Sequence, residues 1–429
     1  MKSNFKLLLP VALTILDLIS GNAQQKKPIS TIILSNASDI ELIDKPIIIK
    51  RNSIDKTVTA VGFPVLIYKT DTIASQVNDL DGDGKWDELF ILDNFAAKEK
   101  KTVQLKWANH TPKFPVRTSV RFGKREAENL PVQPAIEESI NAHQVFKALG
   151  FQKYQTDGPS WENDKVGFRH YLDGRNSKDV FGKKLPGITP ENVGINSAGA
   201  VEDNYHQMYD WGRDVFPVGN SVGLGGFAIQ VNNEITRLGI ITTDTLNNIE
   251  KTNFKIVAEG PVNSLLNYQY QNWKASGNNY QASETTSIWP GMYAYKNTVK
   301  VKGLKGKETL LVGLSNINNQ NGLKVIEVEK WVCLIQYDNL TYKREWIMGT
   351  ALIIPKKDYL GYIEAPKTGQ LTDSYLAKMK IVENTSVRYY AVAGWELSAD
   401  KNFKTSQDFT NYVTHLAQQL AVEITVVVK

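Results

Sequence analysis

The chain has 429 residues, of which 42% are hydrophobic, with 50 Lys and Arg against 45 Asp and Glu and a formal net charge of +5 at pH 7. That length and apolar content can fill an ordinary hydrophobic core, and so mild and dispersed a charge excess excludes the basic footprint of a nucleic-acid-binding protein. Cys333 is the only cysteine, so no intramolecular disulfide can form and apolar burial must stabilise the fold.

The N-terminus has the pattern of a secretory signal peptide. Lys2 and Lys6 precede the mostly apolar run of residues 7–19. The small residues Gly21 and Ala23 lie at the two positions that a signal peptidase recognises. We therefore predict a signal peptide over residues 1–23 and a periplasmic mature protein of residues 24–429. No later segment offers the roughly 18 consecutive apolar residues of a membrane helix. We expect no membrane span, and the sequence leaves the oligomeric state open.

The N-terminal region, from about 29 to 125, predicts antiparallel strands, because short apolar runs with alternating stretches are separated by turn residues. The clearest runs are residues 31–34, 46–49, 57–61, 65–68, 88–92 and 102–105. The apolar spacing from about 133 to 150 then predicts one short helix that ends at Gly150.

An acidic segment interrupts these strands with the spacing of a calcium loop. Its carboxylates occupy loop positions one, three, five and nine, and they are Asp79, Asp81, Asp83 and Asp87. Glycines between them allow the sharp turn that brings oxygen ligands around one hard cation. Position twelve would be Phe90 and strands flank the segment, which excludes an EF-hand. We predict a structural Ca²⁺ site and no organic cofactor; the alternative is an acidic hairpin turn without metal.

Two clusters of polar and aromatic residues follow, and we predict that loops over about 155–220 carry the active site. The first cluster is Trp161-Glu162-Asn163-Asp164 through Phe168-Arg169-His170-Tyr171, and the second is Tyr205-His206 through Asp210-Trp211-Gly212-Arg213-Asp214. Together they supply groups that transfer protons, groups that hold a carboxylate and aromatic rings that stack on a sugar.

That mixture matches the needs of β-elimination on a uronic acid, in which a base removes the C5 proton and the C4 substituent leaves. The substrate carboxylate must be bound to stabilise the enolate-like intermediate, a neutral His can be the base and a Tyr the acid. The predicted catalytic residues are His206 as base, Tyr205 as acid, Arg169 and Asn163 on the carboxylate, and His170. The predicted substrate-binding residues are Trp161, Glu162, Tyr171, Trp211 and Arg213. Because neighbours in a strand point to opposite faces, Tyr205 and His206 can share a substrate only on a loop or bulge.

From residue 223 onward the strand pattern returns. It is clearest at residues 236–241, 262–270, 297–301, 309–312, 331–336, 350–354 and 388–393. Gly223-Leu224-Gly225-Gly226 predicts a tight turn between strands, and apolar residues at helical spacing predict a C-terminal helix over Ser406–Ala421. Many strands without βαβ alternation predict a mostly β fold, a sandwich or large double sheet, in a single domain of residues 24–429.

The order of these motifs resembles a known family. Trp161-Glu162-Asn163-Asp164 with Phe168-Arg169, Tyr205-His206, Gly223-Leu224-Gly225-Gly226 and the acidic segment are similar to domain-of-unknown-function family 4861, found in Bacteroidetes gene sets that degrade uronic-acid-containing polysaccharides. The resemblance covers nearly all of the mature chain. It implies a galactose-mutarotase-like supersandwich and a carbon-oxygen lyase acting on ulvan-type or pectin-type oligosaccharides, as an oligosaccharide dehydratase or a polysaccharide lyase.

Other functions remain open from the residues. Glu162, Asp164, Asp210 and Asp214 also permit a glycoside hydrolase with paired carboxylates. The tryptophans permit a carbohydrate-binding protein without activity, and the implied fold also hosts mutarotation and epimerisation.

Overall fold

The computed structural model describes residues 30–54, 62–144, 150–399 and 403–429. Within these residues strands dominate, every pairing between named strands is antiparallel, and the longest helix lies near the C-terminus. The predicted mostly β fold is therefore confirmed. The predicted signal peptide and the predicted strand at 57–61 lie outside the described residues.

A nine-stranded sheet is the largest layer. Across the sheet its strands are β11 (Glu137–Asn141), β18 (Ile249–Glu259), β19 (Ser264–Ala275), β20 (Asn278–Ile288), β21 (Ala294–Lys302), β28 (Ser386–Trp395), β25 (Met348–Pro355), β24 (Trp331–Asp338) and β23 (Lys324–Val328). Side chains alternate between its two faces. The buried side, which includes Tyr268 and Glu284, is called the inner face, and the side that includes Asn267 and Thr285 is called the outer face.

Two five-stranded sheets cover the inner face. One consists of β8 (Thr118–Arg121), β12 (Ser160–Asn163), β13 (Gly167–His170), β14 (Lys178–Lys183) and β15 (Gly212–Asp214). The other consists of β17 (Glu234–Arg237), β16 (Leu224–Val231), β22 (Glu308–Ser315), β27 (Ser374–Lys380) and β26 (Tyr359–Glu364). Aromatic contacts join the layers: the ring of Trp161 lies 5.3 Å from that of Tyr295.

The first of these sheets, which we call the site sheet, differs from the predicted structure. Much of the segment from 155 to 220 was expected to form loops, yet β12 to β15 pair across it in a regular ladder. The reason is burial, because every residue of β12, β13 and β14 is buried and its backbone groups must find partners within the sheet.

The N-terminal residues form two smaller sheets with a hydrophobic core of their own. One contains β29 (Thr425–Val428), β1 (Ser30–Ser35), β7 (Lys100–Ala108), β3 (Phe63–Tyr68) and β4 (Asp71–Thr72), and the other contains β2 (Leu42–Lys50), β6 (Glu88–Phe95) and β5 (Ser75–Asn78). A four-residue helix, α1 (Arg51–Ile54), follows β2. Gln76 connects this region to the main sheet, because its amide nitrogen donates to the carbonyl of Asn263 at 2.9 Å.

The predicted C-terminal helix is confirmed as α2 (Ser406–Ala421). Thr405 and Asp408 form a capping box, in which each side chain accepts the other residue's backbone N–H at 3.1 Å. Phe409 and Val413 are fully buried by the helix packing. Among the described residues no helix has the length and apolar character that a bilayer span requires.

Two local predictions were wrong. The helix expected over 133–150 is replaced by β10 (Gln133–Pro134), which pairs with β9 (Gly123–Lys124), and by the edge strand β11; residues 145–149 lie outside the described residues. The glycine-rich segment at 223–226 is no hairpin turn. It opens β16 with a bulge, and Gly223 and Gly225 have φ of +74° and +79°, which glycine adopts without strain.

Candidate active site

A buried ionic cluster surrounds Arg169 on the site sheet. Arg169 is 0% exposed, its Nε donates to Asp179 at 3.2 Å and its Nη2 donates to Asp214 at 2.7 Å. The hydroxyl of Tyr171 donates to the second oxygen of Asp179 at 2.8 Å. Arg169 pairs directly with Asp179 in the ladder between β13 and β14, and β15 carries Asp214 beside them. The cluster is thus fixed by strand register.

A strained turn adds a third carboxylate to this cluster. Thr156 and Asp157 have φ of +65° and +60°, a backbone region that is costly for a β-branched residue such as Thr156. The next residue, Gly158, has φ of +152°, and a Cβ there would lie 2.1 Å from the carbonyl oxygen of His170. The turn holds the carboxylate of Asp157 3.6 Å from Nη1 of Arg169.

Tyr205 and His206 stand in a single 3₁₀ turn, Asn204–His206, and not in a strand. This geometry lets both neighbours face the same cluster. The hydroxyl of Tyr205 donates to Asp203 at 2.7 Å and lies 3.2 Å from the carboxylate of Asp157. Tyr205 is buried, whereas the side chain of His206 is 55% exposed.

His206 lies beside one of the cluster's carboxylates. Its Nδ1 is 3.6 Å from Oδ2 of Asp214, which Arg169 holds on the other side. That distance is longer than a hydrogen bond, but catalytic hydrogen bonds in unliganded sites are often long and tighten with substrate. With Nδ1 directed at Asp214, Nε2 is the ring nitrogen left for a ligand. The arrangement is that of a histidine oriented by a buried carboxylate.

Burial favours the uncharged form of several titratable groups in this cluster. Burial and the nearby guanidinium of Arg169 lower the pKa of His206, so the imidazole is neutral at pH 7. Burial and the neighbouring Asp179 raise the pKa of Asp214 to about 7. Burial also raises the pKa values of Asp157 and Tyr205. The neutral imidazole of His206 can therefore accept a proton, and Asp214, with its pKa near 7, can exchange one close to neutral pH.

Two further predicted residues lie at the rim. Trp211 is half-buried and packs edge-on against Phe181, with ring centroids 6.1 Å apart. Nε of Arg213 donates to the carbonyl of Asp214 at 3.0 Å, and its Nη1 lies 3.4 Å from the carboxylate of Glu345. Trp211 therefore offers an aromatic surface at the rim of the cluster, whereas Arg213, the strand neighbour of Asp214, points to the opposite face of β15, toward the ring of Trp346.

Asn163, predicted to bind the substrate carboxylate, has no hydrogen-bonding atom left for it. Its amide nitrogen donates to the carbonyls of Trp289 and Met292 at 2.8 and 2.7 Å. Its amide oxygen accepts from the backbone of Lys165 and Val166 at 2.9 and 3.1 Å. These hydrogen bonds join the site sheet to the loop between β20 and β21 of the nine-stranded sheet. Because Asn163 is also 0% exposed, it is not part of the site.

Three other predicted residues also face the interior. Glu162 is buried between Lys183 at 2.5 Å and Arg121 at 3.3 Å, and Trp161 stacks on Phe168 in the core. His170 follows Arg169 in β13 and so points to the opposite face, where it stacks on Tyr268 with centroids 4.4 Å apart. These contacts remove Glu162, Trp161 and His170 from a substrate surface.

Sequence reasoning missed Asp157, Asp179 and Asp203. A signal existed for Asp157, since it precedes Gly158-Pro159 in a turn-forming stretch. No local pattern marks Asp179, a charge in a buried strand that only pairing with β13 brings to Arg169. Asp214 was considered only as a hydrolase carboxylate, and its contact with His206 depends on the turn at Asn204–His206.

The acidic segment keeps part of its predicted geometry. Carboxylate oxygens of Asp79, Asp81 and Asp87 lie within 4.8 Å of one another, whereas Asp83 faces Lys85 at 3.7 Å. Backbone N–H groups of Gly82 and Gly84 donate to Asp79; although partial desolvation raises the pKa of Asp79, these bonds lower it overall. Hard oxygen donors at this spacing fit Ca²⁺. Calcium binding here remains a proposal.

The chain is similar to several known proteins. Two solved structures from Enterococcus faecalis, a glycosyl hydrolase family 38 protein and an alpha-mannosidase, are each 8% identical, with TM-scores of 0.45 and 0.47. Each overlap covers 94% of this chain but only 47% and 46% of those structures, so the chain spans about half their length. "Uncharacterized protein P7" of Formosa agariphila is 26% identical over 297 residues, 64% of this chain and 68% of that protein. The model of the family described as Domain of unknown function (DUF4861) matches residues 34–426, and the chain belongs to that family.

Proposed function

We propose that this protein is a periplasmic carbon-oxygen lyase that performs β-elimination on a uronic acid residue of an acidic oligosaccharide of the ulvan or pectin type. One observation supports this most strongly. His206 is half-exposed and lies 3.6 Å from the buried carboxylate of Asp214. Burial and the guanidinium of Arg169 lower the pKa of His206. A neutral imidazole oriented by a carboxylate is the base that removal of a weakly acidic C–H proton requires.

In the proposed reaction Nε2 of His206 takes the C5 proton of the uronic acid. The electron pair left behind forms the C4–C5 double bond while the C4–O bond breaks. Burial raises the pKa of Asp157 and so favours its protonated form. Tyr205, whose hydroxyl lies 3.2 Å from Asp157, donates its proton to the leaving oxygen and regains one from Asp157. The leaving group is water in a dehydratase and a sugar in a polysaccharide lyase.

Binding of the substrate carboxylate is assigned to Arg169 in this proposal. Its Nε and Nη2 serve Asp179 and Asp214, whereas its Nη1 has no hydrogen-bond partner among the described residues and lies 3.6 Å from Asp157. A guanidinium N–H that is left over in this way can donate to an incoming carboxylate. Trp211, which packs on Phe181 at the rim, offers the sugar a stacking surface.

The test follows ultraviolet absorbance while the mature protein is incubated with saturated uronic-acid oligosaccharides, since elimination creates a conjugated double bond. We expect absorbance to rise, and His206→Gln to lower the rate by about 10²-fold to 10⁴-fold. His415→Gln is the matched control, because His415 is an exposed histidine on α2. An active protein that keeps its rate after His206→Gln would refute the assigned base, and loss of one water by mass would identify a dehydratase.

A glycoside hydrolase is the second candidate, and the carboxylate content of the cluster favours it. Asp157 and Asp214 both have raised pKa values, as a general acid needs, and Asp203 is exposed next to Tyr205. Hydrolysis predicts new reducing ends and shorter oligosaccharides with no rise in ultraviolet absorbance. A carbohydrate-binding protein without activity predicts binding and no product.

A further inference from the structure

We infer that the outer face of the nine-stranded sheet binds an extended anionic glycan, as a second surface separate from the His206 cluster. The two lie on opposite sides of the sheet. The site sheet packs on the inner face, where Lys178 of β14 pairs with Glu284 of β20 at 2.6 Å. The inference rests on the proposed function only for the choice of polymer, because the outer face has its own chemistry.

Two rows of outward side chains cross this face. The first row is Lys255, Asn267, Thr285, Thr298 and Arg388, one from each of β18, β19, β20, β21 and β28. The neighbouring row is Asn253, Gln269, Ser283, Lys300 and Ser386. All ten residues are exposed or half-exposed, and each is an amide, a hydroxyl or a cation. Antiparallel sheets usually carry such polar faces, but this one holds no carboxylate in either row.

The cations of these rows are not neutralised within the described chain. Lys255, Lys300 and Arg388 form no ion pair with any carboxylate of the described residues, unlike the buried Lys178 and Lys183. Carboxylates come near the rows at both ends. At the β28 end, Lys330, the ion-pair partner of Glu423 at 2.9 Å, and the more distant Arg388 lower the pKa of Glu423. The other carboxylates lie at the β18 end. Glu137 of β11 lies opposite Lys255 in the ladder, and a Cβ on Gly82 of the acidic segment would lie 3.1 Å from Nζ of Lys255.

The dimensions suit a linear polymer. Neighbouring strands lie about 4.8 Å apart, so the row from Lys255 to Arg388 spans roughly 19 Å, the length of several sugar units. At the β18 end the face deepens into a hollow of about 580 Å³ that Lys251, Asn253 and Gln269 line. Amides and hydroxyls can bind sugar hydroxyls, and the cations can bind carboxylates or sulfates with charge-assisted hydrogen bonds.

Neither row contains an aromatic side chain. Proteins that hold single-stranded nucleic acid stack its bases on aromatic rings, so the face favours an anionic glycan over a nucleic acid. The outer face would therefore hold a polymer or long oligosaccharide on the protein while one end of that glycan reaches His206.

The experiment measures binding of polygalacturonate, dextran sulfate, neutral dextran and single-stranded DNA to the mature protein by affinity electrophoresis and calorimetry. One variant combines Lys255→Gln, Lys300→Gln and Arg388→Gln. The matched control combines Lys106→Gln, Lys357→Gln and Lys367→Gln, three exposed lysines elsewhere with the same loss of charge. Melting temperatures verify that both variants fold.

We expect wild type to bind the acidic glycans in a salt-dependent manner, and the outer-face variant to lose about tenfold or more in affinity while the control variant changes less than about twofold. Turnover of short oligosaccharides should be equal in all three proteins. Equal loss in the control variant, equal binding of neutral dextran, or tighter binding of DNA would overturn the inference. Absence of turnover with selective loss of binding would refute the proposed lyase activity and leave the outer-face surface supported.

Discussion

Two of the buried ionic clusters in the described residues are built differently. Around Lys178 one cation meets one carboxylate, Glu284, whose other hydrogen bonds come from the neutral donors Asn297 and Tyr270 at 2.6 and 2.9 Å. Around Arg169 one cation meets three carboxylates, and His206 opens the cluster to solvent. A balanced, sealed cluster joins layers of the fold, whereas a cluster with surplus carboxylates keeps protons that it can exchange.

The largest change in the free energy of unfolding is expected when the balanced cluster around Lys178 is broken. Glu284→Gln leaves Lys178 buried without its carboxylate and should lower the free energy of unfolding by about 3–5 kcal/mol. Asp179→Asn should cost clearly less, because Arg169 keeps Asp214 and Asp157. Urea unfolding at pH 7 measures both. An equal cost for the two substitutions would show that the clusters do not differ in charge balance.

Opposite pH dependence should also separate the clusters. Burial and Lys178 lower the pKa of His170 to about 4. The folded protein disfavours protonation of His170, so the neutral side chain contributes to the free energy of unfolding above about pH 6.5. That contribution is lost as pH falls toward 4, and the loss is about 3 kcal/mol in total. Asp214, with its pKa raised to about 7, stabilises the fold at acid pH and loses that contribution as pH rises from about 4 to 7.

Two substitutions isolate these contributions. His170→Gln should flatten the acid limb of the stability profile below pH 6.5, and Asp214→Asn should flatten the decline between about pH 4 and 7. Chemical unfolding at half-unit pH steps gives both profiles. The assignment of proton exchange to the Arg169 cluster fails if Asp214→Asn leaves its profile unchanged.

The orientation of His206 provides a smaller effect on activity. Asp214→Asn keeps the shape of the side chain but removes the negative charge beside Nδ1, so kcat should fall by about tenfold to a hundredfold with little change in KM. A limb of the pH–rate profile near pH 7 should disappear with it. Asp210→Asn, an exposed carboxylate four residues earlier, serves as control. A purely structural role would lower the melting temperature and leave the shape of the pH–rate profile intact.

The smallest effect concerns the acidic segment, where a bound ion would stabilise only a surface loop. Millimolar Ca²⁺ should raise the melting temperature by about 2 °C, and Asp79→Asn should abolish the increase. Asp83→Asn, whose carboxylate faces Lys85, should retain most of it. No increase in wild type would contradict the proposed calcium site.

Outside residues 133–226 the sequence predicted most strands and α2 well, because alternation and helical spacing are local signals that burial enforces. It placed Tyr205, His206, Arg169 and Arg213 in one region, since they are close in the chain and rich in chemistry. It could not separate Arg169 from His170, because the face that each occupies depends on which side of β13 meets the nine-stranded sheet. Nor could it find Asp179, whose partner is chosen by strand pairing.

The pairing of β1 with β29 has a consequence for the order of folding. β1 lies between β7 and β29, with Ile32 opposite Val428, so the first described strand has a free edge until the last one arrives. During synthesis from the N-terminus this sheet therefore stays incomplete until residues 425–428 are available. The same pairing makes removal of residues 422–429 a change to the N-terminal sheet.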